Sequence, residues 1–203
     1  YPDGTKNSWY ADSKDRTILI ETHIIREIIP WIDTNYNTKP SRGFRVIQGF
    51  SMGGYGASLL AVKFPDLFSV CINYDGGMWN WEDMTSKSRK WQPVAPILFD
   101  NDKIYYESNS SPWKFANINK DKIKGRLQFR ILVGSLGLRL QKWRNHLNSL
   151  EIEMDYVDTE CRHDLKCLHE KAGDGSFRLM AEQFAKAMAS EAKTGEELKA
   201  EGK

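Results

Sequence analysis

The order of apolar runs along the chain predicts an α/β protein, a mostly parallel sheet with helices on both faces. Two observations carry that prediction. Short apolar, β-branched or alternating runs of strand length recur at 44–50, 68–74, 127–133 and 152–157. Stretches with helical spacing alternate with them or flank them. At 203 residues, 40% hydrophobic and 12% aromatic, the chain suffices for one domain with a filled core and is short for two.

Residues 1–15 are rich in Gly, Asp, Ser and Asn and read as loop. From 17 to 36 the residues Ile18, Ile25, Ile28, Ile29 and Ile32 fall near helical spacing, and Pro30 is expected to kink that helix. Lys39-Pro40-Ser41 is a break. The run FRVIQGF at 44–50 reads as a strand and leads through Ser51-Met52-Gly53-Gly54 into a helix over 55–64, which Pro65-Asp66 ends. FSVCINY at 68–74 is a second buried strand. Residues 76–125 show no clear period and hold Trp79, Trp81, Trp91 and Trp113, so they read as a cap-like excursion. Its tryptophans either line an acyl or alcohol pocket or pack the excursion onto the core. LQFRILV at 127–133 is a third strand, 138–150 an amphipathic helix and 152–157 a fourth strand. After a turn holding His163, a last helix is expected to present Phe177, Met180, Ala181, Phe184 and Met188 on one face. These assignments give a domain over 1–188 and a polar tail over 189–203.

Several classes of function are disfavoured. Basic residues (29 Lys and Arg) and acidic residues (27) are interspersed and sum to +2, without a basic stripe for nucleic acid. No apolar run has the length of a membrane span. The three cysteines cannot be a complete set of internal disulfides. Cys71 reads as a core thiol. Cys161 and Cys167 flank a histidine and can be bridged, free, or, with His163, part of a zinc site lacking an evident fourth ligand.

The chemistry concentrates at Gly49-Phe50-Ser51-Met52-Gly53, which fits G-x-S-x-G between a strand and a helix. That context is a nucleophile elbow: a serine on a sharp turn, flanked by residues without side chains so that neighbouring backbone can approach. The helix that follows turns its positive end to the serine, and the N–H of Met52 is the expected oxyanion donor. A Gly-rich turn without catalysis is the plainer alternative. A serine hydroxyl needs a general base, and in elbow folds the histidine follows the last strand. Of the four histidines, His163 alone stands there; His23, His146 and His169 fall on or beside helices.

These residues resemble a known family. The run GFSMGGYGASLLAVKFPDLF is similar to the esterase family that includes esterase D (S-formylglutathione hydrolase), feruloyl and acetyl-xylan esterases, enterochelin esterases and mycolyltransferases. The segments PDGTKNSWYADS, ETHIIREIIPWID, ILVGS and RHD resemble the same family in the same order, over about residues 1–185. The resemblance implies an α/β-hydrolase fold and hydrolysis of carboxylic esters through an acyl-enzyme without a cofactor. Ser51 matches the family nucleophile and His163 the family base. The implied substrate is a small-molecule or carbohydrate-linked ester.

Two departures stand out. The family's acid follows the strand that corresponds to ILVG, yet Val133-Gly134-Ser135-Leu136-Gly137 carries no carboxylate. Asp75, at the end of the strand after the nucleophile helix, is the substitute candidate. It can equally open a turn with Gly76-Gly77, while Asp164, Asp158 and Glu160 are weaker choices. Second, only loop and one helix precede residue 44, where the family places strands and an HGG-like oxyanion loop. The chain therefore reads as N-terminally truncated, with N-terminal strands missing and an unpaired sheet edge prone to self-association. Beside ester hydrolysis stand three alternatives: a catalytically impaired module that only binds, acyl transfer at the same site, and peptide hydrolysis. The compartment stays open.

Overall fold

In the computed structural model, which describes residues 2, 4, 5, 7–86 and 94–201, four strands form one sheet in the order β1-β2-β3-β4. They are β1 (Val46–Phe50), β2 (Val70–Tyr74), β3 (Gln128–Val133) and β4 (Met154–Asp158). All pairings are parallel, with Val46 beside Val70, Val70 beside Gln128, and Phe129 beside Met154. Parallel neighbours need crossover segments. Here α3 (Met52–Lys63) links β1 to β2 and α9 (Gly137–Ser149) links β3 to β4, while among the described residues five short helices lie between β2 and β3.

Alternation along the strands divides the interior into two layers. Cys71, Phe129, Ile131 and Val133 point into the larger core with α3 and with Leu140, Trp143 and Leu147 of α9. Val70, Ile72, Tyr74 and Leu132 point the other way, onto Leu168 of α10 (Leu165–Ala172) and Leu179 and Met180 of α11 (Gly175–Glu201). Strands covered on both faces read as unbroken apolar runs, which explains why VCINY is buried at every position.

The first helix runs as α1 (Ile20–Thr22), a π-helical stretch (His23–Ile28) and α2 (Ile29–Asn35). The strain expected at Pro30 is taken up just before it, where the Ile29 N–H donates to the Ile24 carbonyl, a wide i→i−5 turn. Proline has no N–H for the regular ladder, and the wider turn makes room for its ring. Ahead of this helix Trp9 is buried edge-on against Tyr55 of α3 (5.1 Å) and Trp79 (5.8 Å).

Two expectations need correction. Residues 76–125 are more regular than their sequence suggests, containing α4 (Trp81–Thr85), α5 (Val94–Phe99), α6 (Lys103–Asn109), α7 (Pro112–Ile118) and α8 (Lys120–Ile123). None exceeds seven residues, so no periodicity can register, and capping defines them instead. Asn80, Asp102 and Ser111 accept hydrogen bonds from the N–H groups of Asp83, Tyr105 and Lys114. Trp79, Trp81 and Trp113 pack half-buried against the main core; Trp91 lies outside the described residues. The second correction concerns α11, whose inward face carries Ser176, Leu179, Met180, Gln183, Phe184 and Ala187. Phe177 and Met188 are 67% and 51% exposed, and Ala181 is exposed. The small Ala187 faces Gly43, where an added Cβ would meet the Ala187 Cβ at 2.6 Å, so close approach to the 3₁₀ turn Arg42–Phe44 sets the helix rotation.

Candidate active site

β1 ends at Phe50 and α3 begins at Met52, leaving Ser51 at φ 56°, ψ −120°. A non-glycine residue there costs on the order of 1–3 kcal/mol and persists only where its surroundings hold it. The Ser51 N–H donates to the Tyr74 carbonyl (3.0 Å), and its own carbonyl accepts from Tyr55 N–H (3.1 Å). The turn also needs bare backbone. A Cβ on Gly76 would lie 2.5 Å from Gly54 Cα and 2.6 Å from the Ser51 carbonyl oxygen. The glycines around the elbow thus let β2's exit pass directly beneath the serine.

Asp75 occupies that exit, fully buried and at φ 46°. Its Oδ1 accepts from the N–H groups of Gly134 (2.8 Å) and Leu136 (3.1 Å). Its Oδ2 lies 2.7 Å from His163 Nδ1. On the other side of the imidazole, Nε2 lies 2.8 Å from Ser51 Oγ. A carboxylate can only accept, so Nδ1 carries the proton and Nε2 is free to accept from the serine hydroxyl. A hydroxyl so placed can pass its proton to the imidazole as it attacks a carbonyl carbon. The positive end of α3, a helix of 12 residues, faces the same place. Met52 is its first residue, and first-turn N–H groups have no acceptor within the helix.

The loop bearing His163 is fastened on each side. The Thr159 N–H (3.0 Å) and Oγ1–H (2.7 Å) both donate to the Val133 carbonyl, and Cys161 N–H donates to Thr159 Oγ1 (3.2 Å). Cys161 and Cys167 form a disulfide, which leaves neither thiolate for a metal and overturns the zinc alternative. Phe50 stacks on the imidazole at 4.6 Å. Asp164 turns away from the imidazole's partners and caps α10 through the Cys167 N–H (2.7 Å). The other histidines have separate places. His23 pairs with Glu27 on the surface, His146 lies against Trp113 and Trp143, and His169 rests on Tyr74.

Sequence reasoning placed Ser51, Asp75 and His163, which the structure brings together. It missed their supports. Buried Asn73 joins the Asp75 turn to α3: its Oδ1 accepts from Gly76 N–H (2.6 Å), and its Nδ2 donates to the Gly76 carbonyl (3.1 Å) and Ser58 Oγ (2.9 Å). A polar residue inside the apolar run VCINY was the available signal. The Gly134–Leu136 stretch looked deficient because it lacks an acid, yet it supplies two donors to Asp75. Two concavities lie elsewhere: one of about 600 Å³ between the 3₁₀ turn and α11, and one of about 270 Å³ beside Trp81 and Trp113. Neither is lined by Ser51, Asp75 or His163.

The family model described as "Putative esterase" matches residues 2–113, more than half of the chain. The chain belongs to this esterase family. An esterase of Mycobacterium tuberculosis is 33% identical over 78 residues, 37% of this chain and 17% of that protein. An endo-1,4-β-xylanase/feruloyl esterase of Xylanibacter ruminicola is 34% identical over 64 residues, 32% of this chain and 9% of that protein. The matches thus span under a fifth of either relative's length. Among solved structures, a fluorophosphonate-binding serine hydrolase of Staphylococcus aureus superposes with TM-score 0.71 at 16% identity, over 89% of this chain and 69% of that one. An S-formylglutathione hydrolase of Agrobacterium tumefaciens gives TM-score 0.67 at 19% identity, over 87% and 63%. At such identities these likenesses speak for the fold, which is that of the α/β-hydrolases.

Proposed function

We propose that this chain hydrolyses carboxylic esters through an acyl-enzyme. Ser51 is the nucleophile, His163 the general base and later the general acid, and Asp75 the group that fixes the imidazole tautomer. The observation that carries this reading is the continuous chain Ser51 Oγ–His163 Nε2–His163 Nδ1–Asp75 Oδ2, with spacings of 2.8 and 2.7 Å. In the first half-reaction the serine oxygen bonds to the ester carbonyl carbon while His163 takes its proton. The tetrahedral oxyanion is met by the Met52 N–H, and collapse expels the alcohol, which leaves with the proton from His163. In the second half-reaction water attacks the acyl-serine as His163 takes one of its protons; the carboxylic acid product is released and Ser51 regains its proton from His163. Asp75 stabilises the imidazolium through its charge without taking the proton. The substrates are small-molecule or carbohydrate-linked esters, and the 76–125 excursion acts as a cap over the domain.

Rapid mixing with 4-nitrophenyl butyrate, followed by intact-mass analysis, tests this. A nitrophenolate burst with one butyryl group on Ser51, absent in Ser51→Ala, is the expected result. Turnover without any acyl adduct, or with an adduct elsewhere, contradicts it.

A further inference from the structure

Two residues beyond the acid, Gly77 is surrounded by an unexpected group. An added Cβ would lie 3.2 Å from Arg139 Cδ, 3.2 Å from Leu136 Cδ1 and 3.3 Å from Trp79 Nε1. Leu136 is the residue whose N–H donates to Asp75, and Gly76 abuts the Ser51 carbonyl, so this cluster adjoins the catalytic turn. Within it the Arg139 guanidinium lies over the Trp79 ring, its Cζ 3.8 Å from the ring centroid. Contact with the ring occupies one face of the guanidinium and leaves its terminal N–H groups for another partner.

Among the described residues no group serves as that partner. Arg139 enters no ion pair among the described residues, and its Nε is buried without an acceptor. Other part-buried cations of the fold are paired: Arg45 with Asp33, Lys63 with Glu21, Arg130 with Asp155. Apart from the contact with Trp79, the local fold does not favour a cation at this position. It is the third residue of α9, whose first turn has no acidic residue and no side-chain cap, so a cation there opposes the helix dipole. A locally unfavourable, unpaired cation at the rim of a reactive site is where function overrides local preference.

We infer that Arg139, held on Trp79 beside the acid turn, binds a carboxylate carried by the ester substrate and makes the enzyme prefer anionic esters. This rests on Ser51, His163 and Asp75 being the catalytic triad. An arginine fork grips a carboxylate through two parallel N–H···O bonds, and such charge-assisted pairs are roughly twice as strong as neutral ones. Arg139 is half-buried as a residue, so water screens such a pair less than one on the open surface.

The test compares wild type, Arg139→Leu and Arg139→Lys on three esters: ethyl hexanoate, monoethyl adipate with its carboxylate on the acyl side, and carboxymethyl hexanoate with its carboxylate on the alcohol side. Proton release gives kcat/KM, and fluorophosphonate labelling reports Ser51 separately. The leucine variant should lose about tenfold or more in kcat/KM on at least one anionic ester relative to ethyl hexanoate. Which ester suffers tells the side of the site that Arg139 serves. The lysine variant should lose less, and about 0.5 M salt should shrink the wild-type preference. If the leucine variant keeps its label and all three esters change by the same factor, Arg139 only packs on Trp79 and the inference fails. If the leucine variant loses its label, the lysine variant decides by the same comparison. Wild type that takes no label refutes the triad reading, and the inference falls with it.

Discussion

The imidazole of His163 is oriented by a carboxylate whose second oxygen is tied to backbone. Asp75 holds Gly134 and Leu136 N–H with Oδ1 and the imidazole with Oδ2, so its own rotation is locked. In Asp75→Asn the amide can still accept from the two N–H groups, but its NH₂ then faces Nδ1 and pushes the proton to Nε2, the wrong tautomer. Turnover should fall by about 10⁴. Steady-state rates on a nitrophenyl ester check this, and near-normal turnover would remove Asp75 from the mechanism. A second residue-scale expectation concerns His146, whose pKa burial against Trp113 and Trp143 holds below the ordinary 6.5. The folded state then binds that proton less readily than the unfolded chain does. Its contribution to stability is present above pH 6.5 and is lost as pH falls through the lowered value. The melting temperature of His146→Phe should therefore depend less on pH between about 7 and about 5 than that of wild type; equal slopes would contradict this. Legibility at this scale tracked local chemistry. Ser51 and His163 announce themselves by motif and by position after a strand. Asp75 did not, because Asp-Gly-Gly is also an ordinary turn sequence and only the fold brings it to His163, 88 residues away.

Elements hold Ser51, Asp75 and His163 through a few fixed joints. The disulfide Cys161–Cys167 ties the His163 loop to α10, and Thr159 ties the same loop to β3. Replacing both cysteines by serine frees a short loop, a loss of about 2 kcal/mol by loop-closure entropy. It should also lower turnover, because His163 then samples more positions. Urea unfolding and steady-state kinetics check the pair; unchanged values in both would show the bridge to be incidental. Asn73 is the joint between the acid turn and α3. Asn73→Leu leaves the Gly76 N–H and carbonyl unsatisfied inside the protein and should destabilise it by about 1–3 kcal/mol, again read by urea unfolding. The strands and α9 could be read from sequence because each spans enough residues for its period to register. The helices of 81–123 could not, since one or two turns carry no period and capping residues such as Asn80 look like loop. The face of α11 was misread by one position, because contact with Gly43 at Ala187 outweighs burial of Phe177.

Across the whole molecule, the sheet and the site share one geometry. In an all-parallel sheet the C-terminal strand ends lie along one edge, and Ser51, Asp75 and His163 follow β1, β2 and β4 there. The sequential order β1-β2-β3-β4 follows from the alternation of strands and crossovers in the sequence; the meeting of Asp75 and His163, after β2 and β4, needed the folded structure. β1 is the outer strand of the four, and Val46, Ile47 and Phe50 on it are apolar and half-buried. A strand of core composition at an edge is a template for pairing. The chain should therefore self-associate through β1, and Gln48→Lys, a charge at the exposed middle position, should weaken that association. Sedimentation across a concentration series checks this; a monomer at every concentration would contradict it. The central claim is that a buried Asp75 activates Ser51 through His163. It is tested most directly by the rate of fluorophosphonate labelling in wild type, Ser51→Ala and Asp75→Asn. The account predicts one label on Ser51 in wild type, none in the alanine variant, and labelling slowed by orders of magnitude in the asparagine variant. No label on wild-type Ser51, or the same rate with and without the Asp75 carboxylate, would contradict it.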